Sequence, residues 1–232
     1  METLKNKVAV VTGVGSGIGK AIAMAYAEAG ALLGVGDINE NLLLKTTEDL
    51  KDKNENIISL KTDVSNEEQV KKLIDETVNA HGKLDIIVNN VSVAIGGYPI
   101  TDMSNEDWQK IIGINFSSVF YGCKHSIPYL KKNNGGSIIN ISSDLGLIGP
   151  DQRLYMNKKI PSELQAVKPV TYSVVKAGLI GLTRYLSTYW ADKNVRSNAM
   201  CPGGIETNQP SEFLKEVSSR IPMSRLAKVN EY

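Results

Sequence analysis

The chain has 232 residues, of which 26 are basic and 25 acidic, and its formal net charge is +1. This balance excludes the strong positive field with which proteins bind nucleic acid or an anionic membrane surface. No apolar run approaches the roughly 20 residues that span a bilayer. With 42% hydrophobic residues the chain can bury one substantial core, so we predict a single domain over residues 1–232.

Cysteine and histidine are scarce and scattered. Cys123 and Cys201 lie in apolar segments and the first residues carry no secretory pattern, so we expect no disulfide and a cytoplasmic location. His81 and His125 are isolated from each other and from the cysteines, which predicts no metal site. A small-molecule substrate is the expected partner.

Short runs rich in valine and isoleucine alternate along the chain with longer segments of helical period. Apolar runs without polar alternation are typical of parallel strands that are covered on both faces. The pattern therefore predicts an α/β fold with a doubly wound parallel sheet and helices on both faces. The predicted strands are residues 8–11, 32–35, 57–60, 86–88, 138–141 and 195–200.

A glycine-rich turn follows the first predicted strand: residues 12–19 read TGVGSGIG and lead into an alanine-rich helix. Glycines let the backbone approach a pyrophosphate, and the free N–H groups at a helix start attract its charge. The spacing differs from G-x-G-x-x-G. We predict a dinucleotide phosphate site at Gly13, Gly15, Ser16, Gly17, Ile18 and Gly19.

Asp37 closes the second predicted strand, 18 residues after Gly19. A carboxylate at this point could accept hydrogen bonds from the adenosine ribose hydroxyls and would repel a 2′-phosphate. A helix-capping or solvated role for Asp37 remains open.

Further along, Ser104 and Asp107 form a capping pattern that opens a long helix towards Tyr129. Asn115 falls within that helix, where its side chain competes with the backbone.

Tyr172 and Lys176 are four residues apart in a segment of helical period that follows Pro169. This spacing places both side chains on one helix face, where the ammonium favours the ionised phenol. One cation at about 4 Å, at an effective dielectric near 20, supplies about 4 kcal/mol, enough to move a phenol pKa from about 10 towards 7. We therefore predict that Tyr172 is an acid/base group whose pKa Lys176 lowers.

A second pair, Tyr155 and Lys159, has the same spacing. Pro161 follows it closely, so a continuing helix that could hold this pair is not expected. We choose Tyr172.

The TGVGSGIG turn and the Tyr-x-x-x-Lys pair, together with GSIINISS at residues 136–143 and VRSNAMCPGGIET at residues 195–207, resemble the short-chain dehydrogenase/reductase family. The resemblance covers nearly the whole chain. It implies a Rossmann-like fold and hydride transfer between a nicotinamide cofactor and an alcohol or carbonyl compound.

The resemblance also implies roles for individual residues. Ser143, with Ser142 as the fallback, would hydrogen-bond the substrate oxygen. Tyr172 would transfer the proton, Lys176 would hold the cofactor ribose, and Asn115 would anchor a water relay.

Cofactor contacts beyond the glycine-rich turn are implied in the same way. Ser16 and Ile38 stand where NADP-preferring members often carry a basic residue, so NAD is expected and NADP is less favoured. The remaining contacts are expected at Asp63, Val64, Asn89, Tyr172, Lys176, Pro202, Gly203, Ile205 and Thr207.

The sequence departs from the family pattern in two places, and both are differences in segment length. Ser143 and Tyr172 are 29 residues apart, more than in the family, which implies an insertion over residues 150–171. Its basic residues Arg153, Lys158 and Lys159 suggest a lid or wall for an anionic substrate, or else a surface loop that aids assembly. The family's final helix and strand are expected beyond Tyr232 and are absent from this sequence.

The leading hypothesis is an NAD-dependent alcohol dehydrogenase or carbonyl reductase, with a sugar derivative as one substrate and a 3-oxoacyl thioester as the alternative. A non-catalytic NAD-binding protein is the hypothesis from another class. The resemblance implies a homodimer or homotetramer that assembles through the helices containing Ser104 and Tyr172.

Overall fold

The computed structural model describes residues 3–94, 97–156, 160–161 and 165–232. Within these ranges one parallel sheet has the strand order β3-β2-β1-β4-β5-β6. Its strands are β1 (Val8–Thr12), β2 (Leu32–Asp37), β3 (Ile57–Lys61), β4 (Ile86–Asn89), β5 (Gly136–Ile141) and β6 (Val195–Met200). Every strand predicted from the apolar runs is confirmed.

Helices connect the strands, as parallel pairing requires. The α-helices of the described ranges are α1 (Gly17–Glu28), α2 (Glu40–Lys51), α3 (Glu67–His81), α4 (Asn105–Ile112), α5 (Ser118–Lys132), α6 (Val170–Tyr189) and α7 (Ser211–Ser218). A π-helical turn, Gly113–Ser117, joins α4 to α5. Ser104 caps α4 by accepting a hydrogen bond from the Asp107 N–H at 3.0 Å, as the capping pattern predicted.

The side chains of strand β1 show that helices cover the sheet on both faces. Val8 and Val10 belong to a buried cluster that includes residues of α3, α5 and α6. Ala9 and Val11 belong to a second buried cluster that includes residues of α1 and α2. All four side chains are fully buried. The predicted doubly wound, Rossmann-like fold with helices on both faces is confirmed.

The strand order reverses between β1 and β4. From β1 the chain first builds outwards through β2 and β3, and then returns to place β4, β5 and β6 on the other side. In open parallel sheets a crevice forms at such a reversal, outside the carboxyl ends of the strands, and ligands bind there. The glycine-rich turn follows β1 and therefore lies at this crevice.

Candidate active site

A cavity of about 550 Å³ opens at the carboxyl ends of β1 and β4. It brings together residues that are far apart in the sequence, from the glycine-rich turn to the segment after β6. Of the predicted site residues, the cavity is lined by Gly13, Ser16, Ile18, Asp37, Ile38, Asp63, Val64, Tyr172, Lys176, Pro202, Gly203 and Ile205.

The glycine-rich turn is shaped by close backbone contacts. Gly13 has φ of 71°, a conformation that side chains other than glycine rarely adopt. A Cβ atom on Gly19 would collide with the carbonyl oxygen of Gly13. Ser16 precedes α1 in an extended conformation and its side chain makes no capping hydrogen bond, so the first N–H groups of this helix have no side-chain cap. These features suit the approach of a pyrophosphate group.

Asp37 ends β2 at the rim of the same turn. Its Oδ2 accepts a hydrogen bond from the Gly15 N–H at 2.8 Å, and its Oδ1 accepts one from the Asn39 N–H at 2.8 Å. The carboxylate is thereby held in the cavity wall beside Ile38. A negative charge fixed there can accept hydrogen bonds from ribose hydroxyls and repels a 2′-phosphate.

The structure places Asn89 away from the cavity. Its side chain is buried and donates a hydrogen bond to Asn140 Oδ1 at 2.9 Å; Asn140 in turn donates to Thr183 Oγ1 at 3.0 Å. Asn90 lines the cavity instead, and its Nδ2 donates to the carbonyl oxygens of Thr12 at 3.0 Å and Gly13 at 3.1 Å. The Asn89 amide is therefore used inside the fold, and the side chain that lines the cavity at this strand end is that of Asn90.

Tyr172 lies in the first turn of α6, directly after the Pro169 cap, and lines the cavity. Burial raises the pKa of its phenol and the charge of Asp144 adds to this, whereas a hydrogen bond with Ser143 lowers the pKa. Ser143 Oγ also donates to Asp144 Oδ1 at 2.8 Å. The serine hydroxyl thus stands between the phenol and a carboxylate, in contact with both.

The two candidate serines have different partners. Ser142 is buried, and its Oγ donates to the backbone carbonyl of Lys176 at 2.7 Å. Ser143, through its contact with Tyr172, has its hydroxyl beside the candidate acid/base group. Ser142 lines the cavity, but its hydroxyl proton is taken up by the Lys176 carbonyl; Ser143 does not line the cavity, but its hydroxyl contacts Tyr172.

Lys176 is only 3% exposed and its Nζ donates to the carbonyl oxygen of Ile141 at 2.8 Å. Burial and the nearby charge of Lys168 lower the pKa of Lys176 to about 8. Its Nζ is 5.5 Å from the Tyr172 ring centroid. In this structure burial raises the Tyr172 pKa, so the lowering of that pKa that we predicted from Lys176 is not seen.

Asn115 lies in the π-helical turn and is buried. Its Oδ1 accepts a hydrogen bond from the Val93 N–H at 2.8 Å, and its Nδ2 donates to the Val93 carbonyl at 2.7 Å. Asn115 does not line the cavity, whereas Val93 and Ile114 do. In this arrangement Asn115 fixes the backbone after β4, which forms one wall of the site.

Thr207, a predicted cofactor contact, does not line the cavity. It is exposed, and its N–H donates to Gln209 Oε1 at 2.6 Å. Tyr155, the tyrosine of the second Tyr-x-x-x-Lys pair, lies in a short 3₁₀ turn, Gln152–Tyr155, and contacts the ring of Phe213 in α7 at 6.0 Å between centroids. Burial, together with the charges of Tyr172 and Asp144, raises its pKa. Lys158 and Lys159 lie outside the described residues.

Lys168 and Asp144 are site residues that the sequence analysis missed. Lys168 Nζ lies 3.8 Å from the Tyr172 ring centroid, closer than Lys176. Asp144 contacts Ser143 and acts electrostatically on Tyr172 and Lys168. A signal for Lys168 was present in its position next to Pro169, which caps α6, the helix that contains Tyr172. Asp144 directly follows Ser143 in the sequence.

None of the helices in the described part of the chain is long and apolar enough to cross a membrane. The same part of the chain contains no group of three or more histidine, cysteine, aspartate and glutamate side chains placed to hold a metal ion.

Fold and site together define a dinucleotide-binding oxidoreductase. Comparison with known proteins agrees: the family model described as Enoyl-(Acyl carrier protein) reductase matches residues 13–232. This chain belongs to the short-chain dehydrogenase/reductase family, whose members use NAD or NADP.

Individual relatives share almost the full length of the chain. An "Uncharacterized oxidoreductase" of Thermotoga maritima is 36% identical, with 98% of this chain and 87% of the relative covered. The 3-oxoacyl-(acyl-carrier-protein) reductase FabG of the same organism is 34% identical over the same shares. The cis-4-hydroxycyclohexanecarboxylate dehydrogenase of Sinomonas cyclohexanicum is 31% identical, with 99% and 87% covered.

Proposed function

We propose that this protein is an NAD-dependent dehydrogenase or reductase that interconverts an alcohol and a carbonyl compound, with Tyr172 as its general acid/base. The observation that carries the proposal is the shared cavity, in which Tyr172 and Lys176 line the same space as Asp37 and the glycine-rich turn. A dinucleotide with its adenosine end at Asp37 and its phosphates at the turn would bring its nicotinamide end towards Tyr172.

When bound, the nicotinamide supplies or accepts the hydride at the substrate carbon. Tyr172 gives its proton to the carbonyl oxygen in reduction and takes one from the hydroxyl in oxidation. The Ser143 hydroxyl hydrogen-bonds the same oxygen and positions it. Because burial raises the pKa of Tyr172, the phenol is protonated at neutral pH and ready for reduction.

Lys176 and Asn115 have supporting roles in this proposal. Lys176 lines the cavity and would hold the cofactor ribose. Asn115 keeps Val93 in place by two hydrogen bonds, which supports a role in shaping the nicotinamide end of the cavity. The proposed contacts of Thr207 and of a water relay at Asn115 rest on the family resemblance.

NAD is the proposed cofactor because Asp37 stands at the adenosine end with both carboxylate oxygens fixed. The nearby cavity residues Ser16 and Ile38 offer no positive charge to a 2′-phosphate.

The substrate class has a second candidate. The Thermotoga maritima reductase FabG, whose name specifies a 3-oxoacyl-(acyl-carrier-protein) substrate, is 34% identical to this chain. A 3-oxoacyl thioester is therefore the alternative to a cyclic alcohol or a sugar derivative. Acetoacetyl thioesters and cyclic ketones, assayed side by side with NADH, separate the two.

We also propose a single domain over residues 1–232 that assembles as a homodimer or homotetramer. Exposed aromatic rings on the two long helices support this: Phe120 in α5 is 50% exposed, and Tyr185 and Tyr189 in α6 are 60% and 57% exposed.

The proposal is tested by thermal unfolding with saturating NADH and, separately, NADPH. Ligand at a hundred times its Kd stabilises a protein by about 2.7 kcal/mol, which for a chain of this size raises the Tm by about 5 to 10 °C. We expect that rise with NADH and a smaller one with NADPH. A rise with NADH but no turnover of any alcohol or ketone would favour the non-catalytic NAD-binding alternative, and no rise with either would overturn both.

A further inference from the structure

Lys168 lies closer to the Tyr172 ring than Lys176 does, and it is not among the residues that line the cavity. Its Nζ lies 3.8 Å from the ring centroid of Tyr172, within the range of a cation–π contact. Tyr172 and Lys176 line the proposed cofactor cavity, but Lys168 does not. The tyrosine ring thus contacts one lysine that lines the cofactor cavity and one that does not. Ser143, the proposed substrate contact, does not line the cavity either.

The backbone of Lys168 is held firmly in this position. Its N–H donates to Gln152 Oε1 at 2.8 Å, and its carbonyl accepts a hydrogen bond from Gln152 Nε2 at 3.2 Å. The preceding N–H, of Val167, donates to the Gly97 carbonyl at 2.9 Å. The next residue, Pro169, caps α6. Lys168 is therefore fixed relative to Tyr172 by contacts that do not involve its own side chain.

The charge of Lys168 is not neutralised by an ion pair in the described part of the chain. Asp144 is the acid that acts on it electrostatically, but Oδ1 of that carboxylate already accepts hydrogen bonds from Ser143 Oγ and the Leu145 N–H, each at 2.8 Å. Burial lowers the pKa of Lys168, and its charge contributes to the lowered pKa of Lys176. One buried and one half-buried ammonium group that repel each other are stabilised when an anion binds between or beside them.

We propose that Lys168 is a specificity-determining residue that binds an anionic group of the substrate, a carboxylate or a phosphate, next to the Tyr172 ring. The inference rests on the proposed function and adds to it a substrate class: alcohols or carbonyl compounds with an anionic group near the reacting carbon. The cofactor's own phosphates belong to the glycine-rich turn, at the other end of the cavity.

The test compares two substrates that differ only by the anionic group, cis-4-hydroxycyclohexanecarboxylate and cyclohexanol. Reduction of NAD is measured for the wild type, Lys168→Met and Lys168→Arg. We expect the ratio of kcat/KM values, carboxylate over cyclohexanol, to fall about tenfold or more in Lys168→Met, mainly through KM, and to be largely retained in Lys168→Arg. Lys132→Met is the matched control, since Lys132 is exposed at the last residue of α5, just before β5 begins, and does not line the cavity.

A binding measurement separates this proposal from the proposed function. Calorimetry with the NADH-bound protein compares cyclohexanecarboxylate and cyclohexyl phosphate, which also distinguishes the two anionic groups. Binding that is lost in Lys168→Met supports Lys168 as the anion site even if no alcohol is oxidised. Equal binding to wild type and Lys168→Met, or no binding of either compound to the wild type, would overturn the proposal.

Gln152→Ala provides a second variant in case Lys168→Met does not fold. It leaves the lysine in the chain but removes the hydrogen bonds that fix its backbone. We expect the same loss of preference for the carboxylate, by a smaller factor. An equal loss of activity on both substrates in each variant would indicate a structural role and would also overturn the proposal.

Discussion

Asp37 Oδ2 accepts a hydrogen bond from the Gly15 N–H at 2.8 Å, which ties the end of β2 to the glycine-rich turn after β1. A cavity residue at one end of the proposed adenosine site thereby also shapes the turn that would hold the phosphates. Under the proposed function, both the choice of cofactor and the binding of its phosphates would depend on this one carboxylate.

Replacing Asp37 with alanine should weaken NADH binding about tenfold and reduce the preference over NADPH. The variant loses the acceptor for two backbone N–H groups and the charge that repels a 2′-phosphate. Fluorescence titration with both cofactors measures the change. Asp49→Ala is the control, because Asp49 lies in α2 and pairs with Lys20 at 2.6 Å outside the cavity. An unchanged preference for NADH over NADPH in Asp37→Ala would show that Asp37 does not determine which cofactor binds.

A pair of glycine substitutions tests the packing of the turn. In Gly19→Ala the new Cβ would collide with the Gly13 carbonyl oxygen, so we expect a loss of about 1 to 3 kcal/mol in the free energy of unfolding and weaker NADH binding. Gly181 lies in α6 with open space around it, so Gly181→Ala should raise the free energy of unfolding by about 0.5 to 1 kcal/mol. Urea unfolding measures both. Wild-type NADH affinity in Gly19→Ala would contradict the proposed phosphate site.

Because Lys176 is buried, we predict that the free energy of unfolding depends on pH. Its pKa falls from the ordinary value of 10.5 to about 8, so between these values the unfolded chain binds more protons than the folded one. The free energy of unfolding should therefore rise with pH in this window, by about 3 kcal/mol from this group.

Denaturant unfolding of the wild type and Lys176→Met between pH 7 and 10.5 isolates the effect, because other titrating groups cancel in the difference. We expect the wild type to gain stability relative to the variant as the pH rises. The exposed-site variant Lys132→Met should keep a constant difference from the wild type. If the difference in free energy of unfolding between the wild type and Lys176→Met also stays constant with pH, the charge on the buried lysine does not destabilise the folded protein.

The sequence predicted the fold well because the relevant signals are local. Each strand is a short apolar run, and residues such as Val8 and Ala9 face opposite clusters that both exclude water. The choice of Tyr172 also depended on a local signal, since Pro169 starts a helix of 20 residues there.

What the sequence did not predict depends on contacts between distant segments. The raised pKa of Tyr172 comes from burial and from Asp144, neither of which spacing along a helix describes. Asn89 was expected at the cofactor, but its amide bonds Asn140, 51 residues away. Lys168 reaches the tyrosine through a backbone position that Gln152 fixes from 16 residues away.

The central claim is that Tyr172 transfers the proton in an NAD-dependent oxidoreduction, and the most direct measurement is the NADH absorbance change during turnover by Tyr172→Phe. Tyr129→Phe is the control, since Tyr129 lies in α5, donates to Asp75 Oδ1 at 2.8 Å and does not line the cavity. We predict that kcat falls at least about a hundredfold in Tyr172→Phe, with NADH affinity retained, and changes little in Tyr129→Phe. Wild-type turnover by Tyr172→Phe would contradict the account.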